Sequence, residues 1–208
     1  MIDVPYLSYE DVERQAQEFY DTYGKQQIPV CIDRIIEFDL DIEIRPIPGL
    51  ADRFEGGGYA TRDWSCISYD QSQVDIRARF TLAHEVGHFV LHKEIFDALP
   101  QADSIEEWAE IYRQIPSREL GWLEAQANKF AACLLIPRSA LEAFFFDEVL
   151  PTITPLCQTA VQQGIRRSKY IEMAISYAAG LIATRFNVST EQTAIYRFCD
   201  SGLVVEVP

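Results

Sequence analysis

Apolar residues first recur at helical spacing over residues 8–23, where Val12, Ala16, Phe19, Tyr20 and Tyr23 line one face. Ser8 precedes them as an N-cap, and Gly24 follows as a natural stop. A second short helix is predicted after Pro29 and Asp33, with Ile32, Ile35, Ile36 and Phe38 on its apolar side. The period then changes from helical to two: residues 40–47 read Leu-Asp-Ile-Glu-Ile-Arg-Pro-Ile, the alternation of a half-buried strand. Residues 48–58 are loop-like and end in Gly56-Gly57-Gly58, and residues 59–61 and 65–69 form two strands about an Arg62-Asp63 turn. No Gly-Lys-Ser/Thr follows the glycines, so they are a flexible approach to a strand rather than a phosphate loop.

A long helix spans residues 76–93. An acidic stretch punctuated by Pro100 and Pro116 follows, with a short helix over 104–113 that Ser104 and Glu107 open at capping-box spacing. Residues 119–136 carry Leu120, Leu123, Ala127, Phe130, Ala131, Leu134 and Leu135 on one helical stripe. Beyond Pro137, Ser139 caps a short helix containing Leu141, Phe144 and Phe145, which Pro151 and Pro155 are expected to break. Residues 156–186 read as helix, Val188-Ser189 separates a further helical segment starting near Ser189, and residues 202–208 form a terminal strand or tail. The pattern predicts an α+β domain over residues 1–157, with a small antiparallel sheet packed beside the long helix. A helical extension over 158–208 is expected to pack on it.

Composition narrows the function. A chain of 208 residues with 48% hydrophobic content can bury one substantial core. Its net charge of −14 argues against a direct nucleic-acid partner and fits a basic protein partner. The segment around Val188-Ser189 has helix-turn-helix character, but its second helix offers Arg197 alone as a basic side chain, so packing is expected there rather than DNA reading. Five scattered cysteines without a Cys-x-x-Cys read as reduced thiols, and the start of the chain lacks a signal pattern. With no apolar run approaching membrane-spanning length, a cytoplasmic protein is expected.

The chemistry concentrates in the long helix. Residues 79–92, Arg-Phe-Thr-Leu-Ala-His-Glu-Val-Gly-His-Phe-Val-Leu-His, hold all three histidines of the protein and a His-Glu-x-x-His pattern. His84 and His88, four residues apart, share a helix face and can both reach one zinc ion, with Glu85 placed to act on water there. Thr81, His84, Glu85, His88 and His92 fall in one sector of roughly 100°, and the rest of the circumference is apolar or small, as in a buried helix. His92 lies about 12 Å along the axis from His84 and cannot join the same ion, so it is assigned to structure. The third ligand must then be a carboxylate. Glu124 and Asn128 sit inside the apolar stripe of residues 119–136, where a carboxylate is costly unless paired or metal-bound. Glu124 is the predicted ligand, Asn128 its neighbour hydrogen-bonding a ligand, and Glu119 at the stripe's edge the weaker choice. Beyond the metal, Tyr59, Tyr69 or Tyr170 is available to stabilise an oxyanion, without a pattern that selects among them.

These two stretches, residues 79–92 and Glu-Ala-Gln-Ala-Asn-Lys-Phe-Ala-Ala-Cys-Leu-Leu-Ile-Pro at 124–137, together resemble the ImmA/IrrE family of zinc metallopeptidases. The resemblance implies a gluzincin-like (zincin) domain, one zinc ion on His84, His88 and Glu124, and catalysis by Glu85. It also implies a protein substrate, since family members commonly cleave helix-turn-helix repressors and are often encoded beside them in phage, mobile-element or stress-response systems. The expected function is therefore proteolysis of a repressor or antitoxin. The alternatives are a metal-dependent binder that does not cut, and a DNA-binding regulator acting through its C-terminal helices.

Overall fold

The computed structural model describes residues 4–53, 57–100, 102, 104–189 and 193–206. They form two compact units, one of Met1–Gln26 and Cys31–Leu134, the other of Gln27–Val30 and Leu135–Pro208. The division expected at 157/158 falls inside a continuous helix, Leu150–Gln162.

In the first unit, α1 (Tyr9–Tyr23) opens at the predicted N-cap, Ser8, which forms a reciprocal capping box: Asp11 N–H donates to Ser8 Oγ at 3.1 Å, and Ser8 N–H to Asp11 Oδ2 at 3.3 Å. It ends at Gly24, where a Cβ would collide with the Tyr20 ring and carbonyl. A short α2 (Ile32–Arg34) runs on into a π-helical turn, Ile35–Asp39, burying Ile32, Ile35 and Ile36. Three strands follow: β1 (Glu43–Ile47), β2 (Gly58–Ala60) and β3 (Cys66–Asp70), in the order β1-β3-β2.

The sheet is small and lies beside the long helix, as expected, but it is mixed. β2 pairs antiparallel with β3, with Gly58 opposite Tyr69, whereas β1 runs parallel to β3, with Glu43 opposite Cys66. The chain leaves β1, turns through a single 3-10 turn at Leu50–Asp52 and places β2 on the far edge, so that β3 returns to the centre in β1's direction. Asp70, buried at the end of β3, pins this return: its Oδ2 accepts from Ala51 N–H at 2.8 Å and its Oδ1 from Ser72 N–H at 2.8 Å.

Helix α3 (Asp75–Asp97) is longer than its periodicity indicated, because its last turn carries Phe96 into a buried cluster. There Phe96 meets Trp64 and Trp108 among Leu50, Leu99, Ile115 and Leu123. Each such side chain contributes about 1.5–3 kcal/mol by leaving water, so the cluster fixes the end of α3 against α4 (Ile105–Arg113) and α5 (Ser117–Leu135). Helices α3 and α5 approach closely at Gly87, where an added Cβ would lie 3.1 Å from both the Cα and the carbonyl oxygen of Ala127.

In the second unit, α6 (Arg138–Phe144), a π turn (Phe145–Val149) and α7 (Leu150–Gln162) follow without interruption, so the expected break at Pro151 and Pro155 does not occur. Pro151 lies where the π turn runs into α7, so the chain forfeits one helical bond there, and Pro155 forfeits only the bond to the Pro151 carbonyl; the helix continues through both. Conversely, the helix read over 156–186 is interrupted. Gly164, at φ +70°, ends one helix before α8 (Arg167–Phe186) starts. Asn187 in the left-handed region closes α8, and α9 (Ile195–Asp200) follows. The segment start expected near Ser189 lies partly at 190–192, outside the described residues, although the Thr193 and Ala194 N–H groups bond the Ser189 carbonyl. In place of a terminal strand there is a 3-10 turn, Leu203–Glu206. Arg197 is buried at 1% exposure and its Nε donates to the Ile136 carbonyl at 3.1 Å, which withdraws from solvent the one basic side chain that a DNA-reading α9 would have used. Among the described residues no helix is long and apolar enough to cross a membrane.

Candidate metal centre

Three side chains from two helices converge. His84 and His88 come from consecutive turns of α3, and Glu124 comes from α5. Their ligand atoms all lie within 4.8 Å of one another. The two Nε2 atoms are 3.0 Å apart, and the Glu124 carboxylate oxygens lie 3.3 Å from His84 Nε2 and 3.5 Å from His88 Nε2. Two imidazoles and a carboxylate aimed at one point form a donor set that suits zinc and leaves room for a further ligand. The approach at Gly87 makes the convergence possible, because Ala127 follows Glu124 on α5 by three residues. Glu119, the weaker sequence candidate, is not in the group.

The rings are held from behind. Asn128, one turn along α5 from Glu124, presents its Oδ1 to His84 Nδ1 at 3.0 Å. That leaves His84 Nε2 facing the centre. On the other side, Tyr112 of α4 donates its hydroxyl to Glu124 Oε1. Nothing in the spacing of α4 points to Tyr112, and it is not among the tyrosines that sequence singled out; only the fold brings it to Glu124. His92 is fully buried and reaches α5, with its Nε2 2.8 Å from Gln126 Oε1. Gln126 carries a weaker signal: it lies three residues after Leu123 and four before Phe130, on the border of the apolar stripe.

The electrostatics favour a cation between these donors. Burial opposes charge on Glu124, yet His84 and His88 outweigh it and hold the carboxyl far below its ordinary range. Burial likewise works against a proton on His84, but Glu124 and Glu85 overcome this and its affinity rises above the usual value. At His88 burial prevails and pushes the ring down to about 4, so it presents a neutral lone pair. Burial pushes Glu85 up to about 7, with His84 opposing and Glu124 reinforcing the shift. A carboxyl in that range can take up and return a proton near neutrality.

Glu85 is itself a product of close packing. A Cβ on Gly58 would overlap both Glu85 Oε1 and Thr81 Cγ2, so the last glycine of the triplet is needed for β2 to close over Glu85. Gly57 adds a backbone requirement, at φ +73°. The triplet's role is therefore specific contact at its described members rather than flexibility, and Gly56 lies outside the described residues.

The family model Peptidase_M78, described as IrrE N-terminal-like domain, matches residues 39–196. No curated protein matches the chain. Among solved structures, a Mycobacterium tuberculosis transcriptional regulator is similar in fold, with a TM-score of 0.52 at 15% identity. The match covers 90% of this chain and 46% of that one, so this chain spans about half of the regulator's length.

Proposed function

This chain belongs to the Peptidase M78 family of IrrE N-terminal-like domains, and from that premise we propose that it is a zinc-dependent endopeptidase. Its substrate in this reading is a protein regulator: a helix-turn-helix repressor or antitoxin of a phage, mobile-element, toxin–antitoxin or stress-response system. The observation that carries the proposal is the convergence of His84, His88 and Glu124 beside the buried carboxyl of Glu85. His84 Nε2, His88 Nε2 and Glu124 would hold the ion, while Asn128 and Tyr112 orient His84 and Glu124. When bound, zinc supplies Lewis acidity, polarising a carbonyl and acidifying water. Glu85 takes the proton from the attacking water and delivers it to the departing amine, a role its raised proton affinity suits. β2, at the edge of the sheet with Gly58 against Glu85, would receive an extended segment of substrate by strand addition.

The net charge of −14 supports a basic partner, and DNA-binding regulators carry basic faces. That a protein of similar fold is a transcriptional regulator is in keeping with a regulatory setting. A pure binding module has no use for a buried base held at the metal centre, which disfavours the non-cutting alternative. Mapping new protein N-termini in cells that express the wild type or Glu85→Gln tests the proposal. Expected are a few wild-type-specific termini, concentrated in basic DNA-binding proteins. Their absence would leave binding without cleavage as the better account.

A further inference from the structure

A chain of hydrogen bonds, buried at His88, His92 and Gln126, leads away from the metal centre and ends on the backbone of the exposed Pro5. Gln126 Nε2 donates to the Pro5 carbonyl at 3.0 Å, Gln126 Oε1 lies 2.8 Å from His92 Nε2, and His92 Nδ1 lies 3.0 Å from His88 Nδ1. Each link constrains the next. A carbonyl can only accept, so Pro5 fixes the Gln126 amide with its nitrogen outward and its oxygen towards His92. That oxygen also only accepts, so His92 carries its proton on Nε2. With uncharged rings, His92 Nδ1 is then bare, and the facing His88 Nδ1 must be the donor. His88 is left with a lone pair on Nε2, the atom 3.0 Å from His84 Nε2 and 3.5 Å from Glu124.

We infer that Pro5, Gln126 and His92 form a relay of fixed polarity that holds His88 with its proton on Nδ1 and turns a bare Nε2 towards the metal. The inference rests on the zinc reading above and assigns His92 and Gln126 as positioning residues. It also gives the segment before α1 a task. A backbone carbonyl at Pro5 cannot change tautomer or rotamer, so it anchors the whole chain of choices. An apolar pair in place of His92 and Gln126 would fill the same volume but would leave His88 free to hold its proton on either nitrogen.

Nitrogen-15 NMR of histidine side chains in the metal-free protein reads the tautomers directly, and zinc affinity is measured in parallel by competition with a chromophoric chelator. In the wild type, His88 is expected to carry its proton on Nδ1 and His92 on Nε2. Gln126→Met and His92→Phe should mix the His88 tautomers and weaken zinc binding about 10–100-fold. His92→Gln, which again offers an acceptor to His88 and a donor to Gln126, should restore binding to near the wild-type level. A wild-type His88 protonated on Nε2 would overturn the inference, and so would a Gln126→Met protein with unchanged tautomers and affinity. The wild-type spectrum decides the matter even if a variant fails to fold. Failure of the metal reading is distinct, since it would appear as undiminished zinc affinity in Glu124→Ala, whatever the tautomers in the metal-free protein.

Discussion

Glu85→Gln is expected to lower turnover about 10²–10⁴-fold while zinc content stays at the wild-type level. The amide has the size of the carboxyl and can occupy the same place under Gly58, so the packing of β2 over α3 is retained. What it loses is basicity. Glu85 is buried at 8% exposure, and its proton affinity is raised to about 7 by that burial, the environment of a group that exchanges a proton during a reaction. Because the proposed ligand set is His84, His88 and Glu124, without Glu85, the metal should remain. Single-turnover kinetics on a substrate identified by its new terminus would check this, together with metal content. Turnover within a few-fold of the wild type would remove Glu85 from the mechanism.

Gly87→Val should destabilise the first unit by about 1–3 kcal/mol, which for a chain of this size lowers Tm by several degrees, and should weaken zinc binding at the same time. The contact it disturbs is with backbone: a Cβ at position 87 would stand 3.1 Å from both the Cα and the carbonyl oxygen of Ala127. Backbone atoms cannot rotate out of the way, so α3 and α5 must part or shift in register. Glu124 lies three residues before Ala127 on α5, and any shift there moves it relative to His84 and His88. A second substitution, Ala127→Gly, should give little relief, since the clash is not with the alanine methyl. Calorimetry with and without zinc separates the two effects. Full zinc affinity in a folded Gly87→Val protein would show that the helix approach does not position Glu124.

The helices of the site were legible because their requirements are local. The polar sector of residues 79–92 and the two polar intrusions, Glu124 and Asn128, into an apolar stripe are visible in single windows of sequence. The fold brings Glu124 to the two histidines and Asn128 to His84, as those patterns suggested. The parts that escaped depend on neighbours distant in sequence. Tyr112 has meaning only once α4 lies against Glu124, and Gly58 only once β2 lies over Glu85. The parallel pairing of β1 is a matter of strand order, which no alternation encodes. Pro151 and Pro155 misled because the cost of a proline depends on its position in a helix, and where the π turn at Phe145–Val149 runs into α7 the helix continues through both. Gly164 stands within an otherwise helical run, and nothing local marks it as the left-handed glycine that ends a helix.

The central claim is that His84, His88 and Glu124 hold one zinc ion beside a catalytic Glu85. Elemental analysis of purified wild type, Glu124→Ala and Glu85→Gln tests it most directly. The account predicts about one zinc per chain in the wild type and in Glu85→Gln, with a sharp loss in Glu124→Ala, because removing one of three protein ligands leaves two imidazoles with no anionic partner. Equal zinc in all three proteins would contradict the assignment of Glu124, and a wild type without zinc, purified so as to spare weakly held metal, would contradict the metal centre itself.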